Sequence, residues 1–295
     1  MCVPALDLLA QHFDLTLVGK PWIQPLFADY GWPIVALKGS GRQQRRVLRH
    51  QRKAQGAKWA RAALLFTNSL GSALQMRLAG LRPRGYATEG RRLFLNRAVP
   101  VPTRWAGDMH TVEYYLELAW RAFDLPPVEP PAALNLRVSE PARVHAHTLV
   151  NSKRGGPVPY VVLCPTAVGL HRGRIKAWSG FGRLCEALQN RGVRVVAMPG
   201  PGERDAVCAA LPTATVLPAS DVGTFAAVLE GSRLVVANDS GPGHVAAAVG
   251  TPLVSIFGVT DPLKTRPWGE KVTLLGGKDG WPDYAAVESA VFAAL

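Results

Sequence analysis

The residues best suited to chemistry crowd into one junction. In "NDSGPGHVAAAVGTPLVSIFG", residues 238–258, Asp239, Ser240, Gly241, Gly243 and His244 follow the apolar run 234–237 and precede an alanine-rich stretch. A polar cluster directly after an apolar strand falls at the strand's carboxyl end, where parallel sheets bind ligands. Ser240 suits a helix N-cap, Pro242 suits the first turn, and the glycines let a ligand approach the backbone. A helix start offers free N–H groups and a partial positive charge, together worth up to ~2 kcal/mol to an anion. The junction can therefore seat a phosphate, with Asp239 and His244 in reach of hydroxyls beside it. The same turn alone also serves as an ordinary helix cap.

A second group lies in "CPTAVGLHRGRIKAWSGF", residues 164–181, which leaves a strand and enters a helix. Thr166, His171, Arg172, Arg174 and Lys176 supply hydroxyl and positive charge. A lysine just before a helix can neutralise a pyrophosphate as a point charge. These residues read equally well as a solvated basic loop. A third loop, "MPGPGERD", carries two glycines and an acid, and fits an ordinary turn as well. His145 and His147 could share a strand face, but no third ligand lies near them, so no metal is assigned. Gly39-Ser40-Gly41 is not a phosphate-binding P-loop, because no Gly-Lys-Ser/Thr follows.

These loops need a scaffold, and the sequence supplies one. From Tyr160 onward, apolar strands such as "YVVLC", "VRVVAMPG", "RLVVAN" and "PLVSIFG" alternate with helical patterns such as "WSGFGRLCEALQN" and "DVGTFAAVLEG". That alternation implies an α/β fold with a doubly wound parallel sheet. The first half reads similarly: "PALDLLAQHF" helical, "DLTLVG" a strand, "PIVALK" a strand, then a basic helix, "AALLFTN" as a strand and "SLGSALQMRLAG" as a helix. "DLPPVEPPAALNLRVSEPARV" is proline-rich and aperiodic, as a linker is. Two Rossmann-like domains, 1–135 and 136–295, are expected to face each other across a cleft. The chain opens on a helix with Pro4 in its first turn, so the first strand of the N-terminal domain and its loop are expected to be absent.

The chain has 295 residues, 48% of them hydrophobic and 19% charged, which excludes disorder and allows a sizeable core. A formal charge of +13 implies an acidic partner. Most of the excess sits in "GRQQRRVLRHQRKAQGAKWAR", residues 41–61. No helix-turn-helix, zinc-finger or RNA-recognition pattern accompanies it, so no nucleic acid is assigned. An anionic membrane surface or a phosphorylated acceptor fits better, unless the run is simply a solvated helix face. Cys2, Cys164, Cys185 and Cys208 are scattered and read as reduced thiols of a cytoplasmic protein. No apolar run is long enough to span a bilayer.

The block 238–262 closely resembles the signature of the lipopolysaccharide heptosyltransferases, glycosyltransferase family 9. That signature joins an Asp-Ser/Thr-Gly turn, a following His, then Pro, Phe/Tyr-Gly and Thr/Ser-x-Pro. Here these are Asp239, Ser240, Gly241, His244, Pro252, Phe257, Gly258, Thr260 and Pro262. "IKAWS" resembles the family's Lys-x-Trp segment, and "LFTNSLGSALQMRLAGLRPRGY" resembles a stretch of the heptosyltransferase II branch. The resemblance covers nearly the whole chain. It implies a GT-B fold, ADP-heptose as donor, inversion at the anomeric carbon, and neither metal nor cofactor. It implies a phosphorylated lipopolysaccharide inner-core acceptor and a peripheral place on the cytoplasmic face of the inner membrane.

The resemblance also implies roles for residues. Asp239, Ser240 and Gly241 contact donor phosphate and sugar, Lys176 neutralises the pyrophosphate, Thr166 assists, and His244 orders the Asp239 turn. Asn68 and Ser69 face the acceptor. The family's opening strand and Gly-Asp loop, whose Asp is the base, have no counterpart, so the catalytic base is unassigned. Asp108 in "AGDMH" repeats the dipeptide far from the matching position, and the role is not carried to it. The alternatives are a nucleotide-sugar epimerase of similar fold and a nucleotide-sugar-binding remnant lacking the base.

Overall fold

A computed structural model of the chain describes residues 1–151, 158–167, 170–171 and 173–295. Two compact units emerge: Met1–Gln24 with Trp32–Pro131, and Pro25–Gly31 with Ala132–Leu295. The segment Pro25–Gly31 therefore groups with the second unit.

The first unit carries α1 (Val3–Ala10), β1 (Leu17–Gly19), the short α2 (Ile23–Leu26) at its border, β2 (Ile34–Ala36), α3 (Gly41–Arg61), α4 (Leu70–Leu78), β3 (Arg84–Tyr86), β4 (Arg97–Val99) and α5 (Thr111–Phe123). β1 pairs with β2 and β3 with β4, both in parallel. α1 buries Ala5, Leu8 and Leu9 against Leu116 and Ala119 of α5. Leu48, Ala60, Ala79 and Leu81 form a second cluster that holds α3 to α4. A Ser40–Gln43 capping box starts α3, and Gly56 (φ 85°) breaks its helical backbone. The strand expected at "AALLFTN" is reduced to one parallel bridge, Leu64 to Arg84. The bridge rests on two backbone bonds, Leu65 N–H to the Arg84 carbonyl and Arg84 N–H to the Ala63 carbonyl.

The second unit carries α6 (Glu140–Asn151), β5 (Tyr160–Cys164), the two-residue strands β6 (Leu170–His171) and β7 (Arg174–Ile175), α7 (Phe181–Asn190), β8 (Arg194–Ala197), α8 (Arg204–Ala210), β9 (Thr215–Val216), α9 (Val222–Glu230), β10 (Leu234–Asn238), α10 (Gly241–Ala248), β11 (Leu253–Phe257), α11 (Pro262–Thr265), β12 (Val272–Gly276) and α12 (Tyr284–Ala293). Six strands form one parallel sheet in the order β12-β11-β10-β5-β8-β9. Every residue of β5, β10 and β11 is buried, whereas the edge strands β9 and β12 are partly exposed. Side chains alternate between the two faces. Val162, Cys164, Val235 and Ala237 pack with α6, α9 and α10. Val161, Leu163, Leu234 and Val236 pack with α7 and α12.

Two sequence readings are corrected here. The tail of the proline-rich segment, "EPARV", begins α6 with Pro141 in its first turn. His145 and His147 therefore lie on a helix, not a strand. Ala142, Ala146 and Val150, at four-residue spacing, turn inward and decide the matter. His145 Nδ1 meets Thr224 Oγ1 at 3.2 Å.

Candidate active site

Strands β8 and β9 extend the sheet to one side of β5, and β11 and β12 extend it to the other side of β10. The chain thus reverses its winding between β5 and β10. In open parallel sheets, ligands bind at the carboxyl ends of the strands flanking that reversal. The two ends here carry Pro165 and Asn238.

Asn238 is fully buried. Its Oδ1 accepts the Trp178 backbone N–H at 2.9 Å, and its Nδ2 donates to the Pro165 carbonyl at 2.7 Å. A buried amide satisfied at both ends ties the loop after β5 to the end of β10. Trp178 is buried, meets Phe181 edge-on and stacks over Tyr284. A Cβ on Gly180 would lie 2.2 Å from the Trp178 ring, so only glycine allows this close approach.

Lys176 lies two residues before this anchor. Its Nζ is 3.0 Å from Asp239 Oδ2, with the two side chains 23% and 10% exposed. The Thr260 hydroxyl donates to the same Asp239 oxygen at 2.7 Å. An ammonium has three donors. The one engaged by Asp239 fixes the direction of the others, which remain suited to phosphate oxygens.

Ser240 stands at the N-cap of α10 but does not cap it with its side chain. Its backbone is extended there, and the hydroxyl turns back to donate to the Asn238 carbonyl at 3.1 Å. A Cβ on Gly241 would meet nothing within 4 Å, so the space before the first turn of α10 is open. His244 follows in that first turn, partly buried.

Thr166 donates to Glu203 Oε2 at 3.3 Å, and the same oxygen accepts the Gly200 N–H at 3.1 Å. This brings the third loop, which looked like an ordinary turn, against the loop after β5. Glu203 and Thr260 are the site residues to which sequence reasoning gave no role. The signal for Glu203 was its position three residues after Gly200, from which an acid folds back on a backbone N–H. Cys164 closes β5, and burial, then the charge of Glu203, pushes its thiol up to about 12. It is an inert core thiol. Arg174 donates to the carbonyls of Gly258 and Lys278 and so braces the segment after β11. Arg172 and the side chain of His171 lie outside the described residues.

Asn68 and Ser69 belong to the first unit. Asn68 Oδ1 accepts from Tyr114 Oη at 3.2 Å and from Arg91 at 3.4 Å, while its carbonyl accepts from Thr88. Arg91 is fully buried and also donates to the carbonyls of Tyr86 and Thr67. Burial lowers the Arg91 pKa and raises that of Tyr114. Ser69 caps α4 through the Ser72 N–H. Asp108 is exposed and pairs with Arg104 at 3.5 Å.

Residues 47–289 match the model of glycosyltransferase family 9 (heptosyltransferase). The chain belongs to glycosyltransferase family 9. Lipopolysaccharide heptosyltransferase 3 of Escherichia coli K12 is 36% identical over 123 residues, covering 38% of this chain and 35% of that protein. Lipopolysaccharide heptosyltransferase 1 of Pseudomonas aeruginosa is 31% identical over 187 residues, 62% of this chain and 48% of that protein. Lipooligosaccharide heptosyltransferase 2 of Haemophilus influenzae is 27% identical over 235 residues, 72% and 64% of the two chains. The matches thus cover 35% to 64% of these relatives' lengths. The structure of E. coli ADP-heptose lipopolysaccharide heptosyltransferase II superposes with a TM-score of 0.77 at 24% identity, over 99% of this chain and 93% of that one. This family 9 chain therefore has the GT-B fold. Asp239, Lys176, Thr166, Ser240, Gly241, His244 and Thr260 all fall inside the matched residues.

Proposed function

We propose that this family 9 chain transfers heptose from ADP-heptose to the inner core of lipopolysaccharide, inverting the anomeric carbon and requiring no metal. The observation that carries the reading is the Lys176–Asp239–Thr260 cluster at the point where the sheet reverses its winding. In an inverting transfer the acceptor oxygen forms a bond to the anomeric carbon as the bond to the pyrophosphate breaks. Negative charge then grows on the departing ADP. A lysine held in place beforehand and the N-terminus of α10 are suited to stabilise that charge. Asp239, already oriented by Thr260, is suited to accept from sugar hydroxyls.

The acceptor reading rests on Asn68 and Ser69 at the head of α4 and on the positive charge of the first unit. A phosphorylated core on a lipid anchor has the complementary charge. The reading places the enzyme on the cytoplasmic face of the inner membrane as a peripheral protein. Among the described residues no helix is long and apolar enough to cross a membrane. The test is incubation of the purified protein with ADP-heptose and a deacylated core acceptor, followed by mass spectrometry. An acceptor heavier by one heptose is the expected product. A free isomerised sugar or an unchanged acceptor, with ADP still bound, would refute transfer.

A further inference from the structure

The sequence holds no Asp or Glu between Asp29 and Glu89, while α3 and its surroundings are crowded with Arg and Lys. In the structure Arg42, Arg46, Arg49 and Lys53 are exposed. Their spacing of four, three and four residues places them on one stripe of α3. The stripe runs roughly 16 Å along the helix at 1.5 Å per residue. Beside it, α4 exposes Leu70, Leu74 and Leu78, at 41%, 36% and 48%. Four-residue spacing makes these a second stripe, apolar, on one face of a short helix. The two stripes meet at the end of α4, where Arg49 Nε and Nη2 donate to the Leu78 carbonyl at 3.3 and 2.9 Å. Two adjoining open hollows of about 440 and 330 Å³ lie there, and Arg52, Lys53 and Gly80 line both. The opposite faces of both helices are taken up by the Leu48, Ala60, Ala79 and Leu81 cluster.

We propose that this α3–α4 face docks the protein on an anionic phospholipid bilayer. Basic residues pair with lipid phosphates at the surface, and the leucine stripe enters the boundary between headgroups and acyl chains. Arg46, Arg49 and Lys53 line one of the hollows and could meet a single phosphate there, but such a ligand leaves Arg42, Leu70 and Leu74, which lie outside that lining, without a role. Nucleic acid would meet the arginines but gives no reason for three exposed leucines in a row. At its Leu70 end the surface adjoins the residues read as acceptor-facing, and at its other end it leaves them behind. Leu78 is at the opposite end of α4 from Ser69, roughly 13 Å along the axis. The inference deepens the function proposed above, because it rests on the reading of a lipid-borne acceptor for its purpose.

The test is co-sedimentation of the full chain with phosphatidylglycerol–phosphatidylcholine vesicles and with pure phosphatidylcholine vesicles, at low and high salt. Two surface variants are compared with the parent, each checked by circular dichroism: Arg42→Gln/Arg46→Gln/Lys53→Gln, and Leu74→Ser/Leu78→Ser. The parent is expected to bind the anionic vesicles, more weakly at high salt. The charge variant should bind about 100-fold less tightly, since each basic residue near such a surface contributes ~1 kcal/mol. The leucine variant should lose at least about tenfold, a loss that persists at high salt. ADP affinity, measured by calorimetry on the same samples, should be unchanged in both. Equal binding of the parent to the two vesicle types would overturn the proposal. So would unchanged vesicle binding by the leucine variant, which would leave a purely electrostatic face such as nucleic acid uses. Absent ADP binding with intact vesicle results would refute the transferase reading and leave this inference standing.

Discussion

Lys176 and Asp239 form an ion pair, Nζ to Oδ2 at 3.0 Å, between the loop after β5 and the end of β10. Both are partly shielded from water, and Thr260 shares the same carboxylate oxygen. A shielded pair of this kind is costly to break by removing one partner. The two members nevertheless have separable tasks, because one attracts phosphate and the other repels it.

Lys176→Ala should weaken ADP binding by about 10- to 150-fold, the loss of one charge-assisted contact of roughly 1.5–3 kcal/mol. The change leaves the loop anchored by Trp178, so the fold should persist. Calorimetry with ADP on the folded variant measures the effect. Unchanged affinity would remove Lys176 from the donor site.

Asp239→Asn should behave differently. The amide can still accept from Thr260 but no longer repels phosphate. ADP affinity should stay within about threefold, while kcat/KM for sugar transfer falls about 10- to 150-fold, on the order of 1.5–3 kcal/mol, through loss of charged acceptance from sugar hydroxyls. If ADP affinity drops as far as in Lys176→Ala, the work of Asp239 is to hold the lysine, not the sugar.

Asn238→Leu should destabilise the second unit by about 2–6 kcal/mol. It strands the Trp178 N–H and the Pro165 carbonyl, two buried groups at roughly 1–3 kcal/mol each. Urea unfolding followed by tryptophan fluorescence reads the change. A loss below about 0.5 kcal/mol would show that neither contact matters to stability.

Asp221 gives a pH signature. Burial raises its pKa, but the Thr224 N–H and hydroxyl and the Gly223 N–H outweigh burial and hold it below the ordinary carboxylate value. A depressed native pKa contributes stability at pH values above the unfolded pKa. That contribution disappears as pH falls through the native pKa. Asp221→Ala should therefore cost about 1 kcal/mol near neutrality, as the loss of a helix cap does. The part due to charge should fade as the pH is lowered below about 4. Asp221→Asn should keep most of the cap and flatten that dependence. Identical pH profiles for parent and Asn variant would contradict the assignment.

The central strands of the second unit were legible because burial on both faces makes β5, β10 and β11 continuous apolar runs. Asp239 was legible for the same reason, since it directly follows β10, whereas Lys176 was legible as a lysine shortly before a helix. What stayed hidden depends on partners distant in the chain. Thr260 reaches Asp239 across 21 positions and Thr166 reaches Glu203 across 37. Nothing local marks either bond. The basic character of Arg174 suggested a ligand, but its guanidinium meets carbonyls more than 80 positions away. The Ser240 hydroxyl was misread because it donates to the Asn238 carbonyl behind it instead of accepting from the helix it precedes. In "AALLFTN", composition favoured a strand where the structure has an isolated bridge from Leu64 to Arg84.

The Asn238 clasp has a kinetic consequence. It fixes the Trp178 loop to β10, so Lys176 and Asp239 are neighbours by virtue of anchored backbone on both sides rather than through their own attraction. When a pyrophosphate arrives, the ammonium can shift allegiance from carboxylate to phosphate without its loop being rebuilt. On the function proposed above, the donor site is preorganised, and little conformational entropy is lost at the moment of encounter. Nucleotide association should accordingly follow a single exponential that rises linearly with ADP concentration. A plateau would expose a slow opening step and break the link between the clasp and the readiness of the lysine.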